Sequence, residues 1–415
     1  MRMAEESGTF QVLHSGTTSY KILGLSGEGG FGRVARCVNL RTQELLAIKM
    51  HKLDDDQFNQ REFAMLEKLS ALNPDQHNIV KFIEKFHFHG MSCLVFEMLD
   101  RSLFDLMTEN DMMPRSLCEI RLVTQQLLVA LKALKNTGMI HTDLKPDNIM
   151  LVNQKSQPFR IKLIDFGLAR LLSHLRTGMT VQTLSYRAPE VVLGLPLSES
   201  VDMWGLGCIV AYLYFGIDFF PDTSEYDWVK ALLHWLGQPN DELISAGKHS
   251  WRYFTSDQDA GWRLRTPEEY EDVTGDRPLD IQLPSDLLSL EDAVMRWPEK
   301  PDDHEYKERM AFLDFIKCCL NVNAGQRMTP SEALNHRFIT MAYLEEEKET
   351  NSNSNTGTAF PVMNVPSPCC GDEPINLSDG EDRPDEDSNT ENVVSVSSDT
   401  NISREHELRE SYEEE

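Results

Sequence analysis

The sequence predicts an α+β protein of two unequal lobes. A small β-rich N-terminal lobe carries one key helix, a larger and mainly helical C-terminal lobe follows, and a disordered acidic tail ends the chain. Three observations predict this. Strand-like segments come early and helix-periodic ones later, which segregates sheet from helices. The 415 residues are enough for one large domain or two ordinary ones. The charge is uneven: of the net −27, residues from 341 onward carry −16, with 20 acidic and 4 basic side chains in 75 residues.

Taken in order, residues 1–19 read as an N-terminal extension, and "YKILGL", "GRVARCVNL" and "ELLAIKM" as three strands around a Gly-rich turn. A helix is expected over about 57–70, where Glu62, Leu66 and Leu69 recur at i, i+4 and i+7. "CLVFEML" (93–99) suits a buried strand, and residues 20–99 make the small lobe with its hinge. From Pro114 the pattern turns helical. "RSLCEIRLVTQQLLVALKALKN" has apolar residues at helical period and Gly138 as a stop, and further helices are expected over about 200–215 and 308–320. Residues 255–305, charged and Pro-punctuated, read as an insert on the helical lobe (100–340). Beyond about 344 periodicity vanishes, and a Ser, Asn, Asp, Glu and Pro composition buries too little apolar surface to offset chain entropy.

Composition excludes several classes. The acidic balance argues against a nucleic-acid binder, whose affinity rests on neutralising phosphates. None of the eight cysteines forms a CxxC pair or a disulfide framework, so reduced thiols inside a cell are expected. The N-terminal stretch lacks the apolar core of a secretory signal. The longest greasy run, "MWGLGCIVAYLYFG" (203–216), is short of the ~20 residues of a membrane span and reads as a buried helix.

Four motifs carry chemistry. In "GEGGFGRV", Gly27, Gly29 and Gly32 form GxGxxG before Val34. Such a turn between strands lets backbone N–H groups approach phosphate, although alone it could be a tight hairpin. A dinucleotide fold would need a helix next, whereas "RVARCV" is strand-like. Lys49 in "LAIK" could merely snorkel. Glu62, however, sits on an apolar stripe and needs a cation, and Lys49 is the nearest candidate; Glu67, on another face, reads as solvated. In "GMIHTDLKPDNIML" (138–151), Asp143 is placed to accept a hydroxyl proton, Lys145 to neutralise a transferred phosphoryl group and Asn148 to bind a metal ion. Taken singly Asp143 could be a turn residue and Lys145 a surface charge; their joint spacing points to phosphoryl transfer. In "IKLIDFGLA", a strand delivers Asp165 to its end, where it could chelate Mg²⁺, with Phe166 as an apolar plug.

These parts, in this order, resemble the eukaryotic protein kinase signature set over about residues 20–340, continuing through "YRAPE" (186–190) and "DMWGLG" (202–207). The likeness implies a bilobal kinase fold with ATP and Mg²⁺ between the lobes. Gly27, Glu28, Gly29, Gly30, Phe31, Gly32, Val34 and Ala47 would enclose the nucleotide, Lys49, paired with Glu62, would hold its phosphates, and Asn148 and Asp165 would hold metal. Glu190 would pair with Arg327, and Asp202 would brace the catalytic loop. "DLKPDN" and "TLSYRAPE" are similar to serine/threonine kinases.

A narrower resemblance, in "FEML", "LKPDNIMLV", "YRAPEVVLGLPLSESVDMWGLGCIV", "SEYD", "SAG" and "ALNHRFITM", is to the homeodomain-interacting protein kinases of the CMGC group, as a short, divergent member. It implies Phe96 as gatekeeper, Glu97 to Leu99 as hinge, protein substrates with Ser/Thr acceptors, a monomer and a nuclear or cytoplasmic location. Departures matter. Thr142 stands where many kinases carry an Arg that clamps an activation-loop phosphate. The family is expected to carry a Tyr two residues before a Ser-Arg pair; Val181 stands there, and Leu184 replaces the Arg. Thr183 is then expected to tie Asp143 to Lys145. In the tail, Val393–Asp399 ("VVSVSSD") resembles a SUMO-interaction motif that would add a strand to a partner's sheet, and "EPINLSDGED" (373–382) is a weaker copy; incidental valines in an acidic tail are the alternative. An active kinase is the first reading, and a pseudokinase-like scaffold that recruits partners through its tail is the second.

Overall fold

Alternating apolar residues near the N-terminus build a six-stranded antiparallel sheet in the computed structural model, which describes residues 12–29, 32–52, 56–257, 261–297, 303–342 and 344. Its strands are β1 (Val12–His14), β2 (Ser19–Gly29), β3 (Gly32–Asn39), β4 (Leu45–Lys52), β5 (Phe82–Phe88) and β6 (Met91–Glu97). Their spatial order is β1-β2-β3-β4-β6-β5. One helix, α1 (Asp56–Leu69), interrupts the sheet sequence between β4 and β5. The sequence pattern does not announce β5. Glu84, Lys85 and His87 mask its alternation, and as an edge strand it pairs with β6 alone.

A four-residue helix, α2 (Pro74–His77), is capped by Asn73 and ends at Asn78, whose φ is +54°. The large lobe begins with α3 (Leu103–Glu109) and α4 (Leu117–Asn136), each started by a capping box, Ser102 with Asp105 and Ser116 with Glu119. α4 buries Ile120, Val123, Leu127, Leu131 and Leu134, the expected stripe. The chain then turns at Gly138 into β7 (Met139–Ile140), β8 (Ile149–Asn153), β9 (Gln157–Leu163) and β10 (Arg170–Leu171). After α5 (Pro189–Val192), helix α6 (Ser200–Phe215) is buried from Val201 onward, as an apolar helix passing through a core must be. It stops at Gly216 (φ +74°), where a Cβ would lie 2.1 Å from the Met112 carbonyl oxygen. α7 (Glu225–Leu236) and the helix Asp303–Cys319 pack nearby.

The segment read as a weakly periodic insert contains real elements. A hairpin (Phe254–Asp257 with Gly261–Leu264) precedes the helices Pro267–Thr274 and Leu290–Arg296. They are too short for hydrophobic period to show, although Thr266, Pro267 and Glu269 form a recognisable helix start. Two cores result: a small one inside the sheet lobe around Tyr20, Ile48 and Phe86, and a large one built on α4 and α6 that reaches up to α1.

Candidate active site

Strand register decides which side chains share the face of the sheet opposite the small core. Gly27 pairs with Val34, Val34 with Lys49, Lys49 with Leu94, and Ala47 with Phe96, so all lie on one face. Ala35, Cys37 and Ile48 point the other way into the small core. β2 and β3 form a hairpin that closes at Gly29 and Gly32. Gly32 has φ +133°, and a Cβ there would lie 2.4 Å from the Met50 carbonyl oxygen, so a side chain does not fit. Glycines followed by a strand exclude the dinucleotide-binding arrangement. Gly27, Glu28, Gly29, Gly32 and Val34 therefore stand on this hairpin; Gly30 and Phe31 lie outside the described residues.

At the lobe junction Phe96 is half-buried and meets Phe82 edge-on, and Leu99 is buried. The Glu97 carboxylate has a partner that the sequence did not reveal. Its Oε1 accepts from Lys162 Nζ and from the Lys81 backbone N–H, both at 2.6 Å. Lys162, buried between Ile161 and Leu163, also pairs with Asp75 at 2.7 Å. A lysine within an apolar strand was the available signal.

α1 carries Glu62 inward beside Leu66 and Leu69, while Glu67 is exposed. Lys49 Nζ lies 2.9 Å from Glu62 Oε1 and 2.8 Å from Asp165 Oδ1. Burial alone would lower the Lys49 pKa, but Asp165 and Glu62 raise it above the ordinary lysine value. Burial likewise pushes Asp165 up, and Lys49 with the Gly167 N–H reverses this, lowering its carboxyl to about 2. Asp165 is therefore ionised at neutral pH, as a metal ligand must be. His51 Nε2 approaches the other Glu62 oxygen at 3.3 Å, a contact that no sequence pattern announces.

The catalytic-loop candidates converge. Asp143 Oδ1 accepts from the Thr183 hydroxyl at 2.8 Å, and Lys145 Nζ is 3.4 Å from both Asp143 Oδ2 and Thr183 Oγ1. Asn148 Nδ2 donates to the Asp143 carbonyl at 2.8 Å and to Asp143 Oδ2 at 3.0 Å. Those two acceptors commit the amide nitrogen and leave Oδ1 as an oxygen donor for a cation. β8 pairs with β9 at Ile149 and Leu163, and Ile164 N–H donates to the Asn148 carbonyl, which sets Asn148 and Asp165 side by side. An amide oxygen with an ionised carboxylate is a hard donor set that fits Mg²⁺.

Asp202, at the start of α6, accepts from the N–H groups of His141 (2.7 Å) and Thr142 (2.9 Å), so it does brace the loop. Thr142 is fully buried at φ +62°. Such a conformation costs a β-branched residue about 1–3 kcal/mol and persists only where the surroundings impose it. Phe166 is buried against the His141 ring, and His141 Nε2 donates to the Ile164 carbonyl at 2.9 Å.

Farther along, Arg327 grips Glu190 with two bonds of 2.7 and 2.9 Å, both groups buried. Val181 is buried in the large core and Leu184 packs partly against it. Gln182, buried at φ +69°, is a further member that sequence reasoning missed. Its amide donates to the carbonyls of Tyr186 and Val201 and accepts from Ala188 N–H, while Arg187 donates to its carbonyl. Arg187 also meets Glu225 at 2.8 Å. Nothing local in the sequence signals a glutamine in this role.

Comparison with known proteins agrees with this geometry. Residues 20–339 match the protein kinase domain family. The chain is 39% identical over 353 residues to mouse homeodomain-interacting protein kinase 1, covering 80% of this chain and 28% of the relative. It is 36% identical over 343 residues to homeodomain-interacting protein kinase 1 of Caenorhabditis elegans (78% and 40%) and 35% over 358 residues to human homeodomain-interacting protein kinase 4 (82% and 58%). The aligned stretch thus spans between 28% and 58% of these relatives' lengths. A protein kinase domain implies ATP as substrate and Mg²⁺ as its usual cofactor.

Proposed function

This chain belongs to the protein kinase family, and from that premise we propose that it is an active serine/threonine kinase transferring the γ-phosphoryl group of ATP to protein hydroxyls. The observation that carries this reading is the hydrogen-bonded triangle of Asp143, Lys145 and Thr183, with Asn148 holding the Asp143 carboxylate.

Gly27 to Gly32 would lie over the phosphates, Val34, Ala47 and Phe96 would wall the base, and the Glu97–Leu99 backbone would bond to it. Lys49, fixed by Glu62, orients the phosphates. Asn148 and Asp165 would hold Mg²⁺, which neutralises phosphate charge when bound. Asp143 orients the incoming hydroxyl and takes its proton, while Lys145 balances charge on the group in transit. Turnover of ~1–100 s⁻¹ is usual for such sites.

Val181 stands where the family's tyrosine is expected, and Tyr186 is buried with its hydroxyl bonded to Asp218, so activity needs no activation-segment phosphotyrosine. Substrates would be proteins with Ser/Thr acceptors. The tail segment Val393–Asp399 would recruit SUMO or sumoylated proteins, and the site of action would be the nucleus, the cytoplasm or both. The protein would be a monomer that binds neither nucleic acid nor membrane. Among the described residues no helix is long and apolar enough to cross a membrane.

Radiolabelled ATP with a generic basic substrate protein tests the enzyme reading. The parent should transfer label, and Asp143→Asn should abolish transfer while leaving nucleotide affinity unchanged. Equal and negligible labelling by both would favour the tail-recruiting scaffold instead.

A further inference from the structure

The short ladder beside the catalytic loop breaks off just where chemistry begins. β7 and β10 pair antiparallel, Met139 opposite Leu171 and Ile140 opposite Arg170. Continued by the same register, Thr142 would face Leu168. The backbone does not continue it. Thr142 has turned to φ +62°, and its N–H is committed to Asp202. Its hydroxyl instead donates to the Leu168 carbonyl at 2.6 Å, with Thr142 and Leu168 both buried. A side chain thus supplies the rung that the main chain gave up.

We propose that Thr142 is a positioning residue whose hydroxyl, by holding the Leu168 carbonyl, keeps the segment after Asp165–Gly167 in register with Asp143 without any phosphate. Leu168 lies three residues beyond Asp165, and Thr142 directly precedes Asp143. The bond therefore joins the carboxylate that would hold metal to the one that would meet substrate. A threonine in a backbone conformation that disfavours β-branching makes sense if the hydroxyl is what the site requires. Alanine would fit the space and sacrifice the rung. The inference rests on the kinase reading, so one of its readouts must not depend on catalysis.

Three variants at one position provide the test: Thr142→Val, which keeps the shape and removes the donor, Thr142→Ser, which keeps the donor, and Thr142→Ala. Valine and alanine should each lower kcat on a protein substrate about tenfold, the usual scale for stranding one buried acceptor. KM for ATP should change less, and serine should restore most of the rate. Independently of activity, amide exchange over residues 165–172 should quicken in valine and alanine but not in serine, with exchange in α4 and α6 unchanged as the check on folding. Parent-like exchange in valine and alanine would overturn the proposal. So would a serine variant as impaired as valine, because packing of the methyl group, not the hydroxyl, would then be the cause. Altered exchange in an enzyme that transfers no phosphoryl group would leave the tie standing and overturn the kinase reading.

Discussion

At the scale of single residues, buried charge in the described residues is held by partners, as at Glu190. Arg327 satisfies Glu190 with two bonds, donates to the Ser200 carbonyl, and lies over the Trp204 ring at 5.1 Å. Arg327→Met would leave the Glu190 carboxylate buried without its cation, at a cost of about 3–5 kcal/mol. Urea unfolding should show that loss, and the double variant with Glu190→Gln should recover part of it. This pair was readable from the family likeness, and Lys49–Glu62 from a carboxylate on an apolar stripe. Gln182 was not readable. A glutamine has no preferred surroundings in sequence, and its role arises from a backbone turn that only the packed lobe imposes. Glu97 lies between these cases: its place at the hinge was legible, but its bond to Lys162, 65 residues away, was not.

At the scale of elements, the loop after helix Asp241–Ala246 is pressed onto the activation segment. Lys248 Nζ donates to the Thr177 carbonyl at 3.2 Å, and the His249 ring lies where a side chain at Gly194 would have to go. Burial lowers the His249 pKa, aided by Arg252 and Lys248 and opposed by Glu225; burial lowers that of His336 as well, against the pull of Asp314. Both folded values lie below the ordinary 6.5. The unfolded chain therefore binds protons that the folded one refuses. The histidine contribution to stability should be complete above that pH and decline as acidity increases, while Asp218, whose carboxyl burial raises to about 6, contributes with the opposite sign. In thermal melts from neutral to mildly acidic pH, the parent should lose stability relative to a His249→Gln, His336→Asn double variant; an unchanged difference between the two across that range would exclude the histidine contribution. Long elements were legible in the residue pattern alone, α4 by its periodic apolar stripe and α6 as a run that is apolar on every side. β5 and the short helices of the insert were not, because charge masks the alternation in one and brevity removes the period in the others.

At the scale of the whole molecule, more than half of the net negative charge lies in the last 75 residues. The described residues end at Leu344, which still packs on the large core, and the tail residues, including Val393–Asp399, lie outside them. Deleting residues 345–415 removes all of the −16 carried from 341 onward and none of the site residues. Phosphoryl transfer should continue at the parental kcat/KM, while binding to a SUMO surface should be lost, as it should be with Val393→Ala plus Val394→Ala. Loss of transfer on truncation would place part of the enzyme in the tail.

The grip of Lys162 on Glu97 has a mechanical consequence. Lys162 belongs to the strand Gln157–Leu163, which ends two residues before Asp165, and Glu97 closes β6 at the lobe junction. A small molecule wedged against Glu97 would disturb, through the Lys162 ammonium, the strand that leads into Asp165. Inhibitors that fill the purine pocket alone should therefore alter the magnesium requirement, as though the pivot of a pair of tongs were wired to its tips.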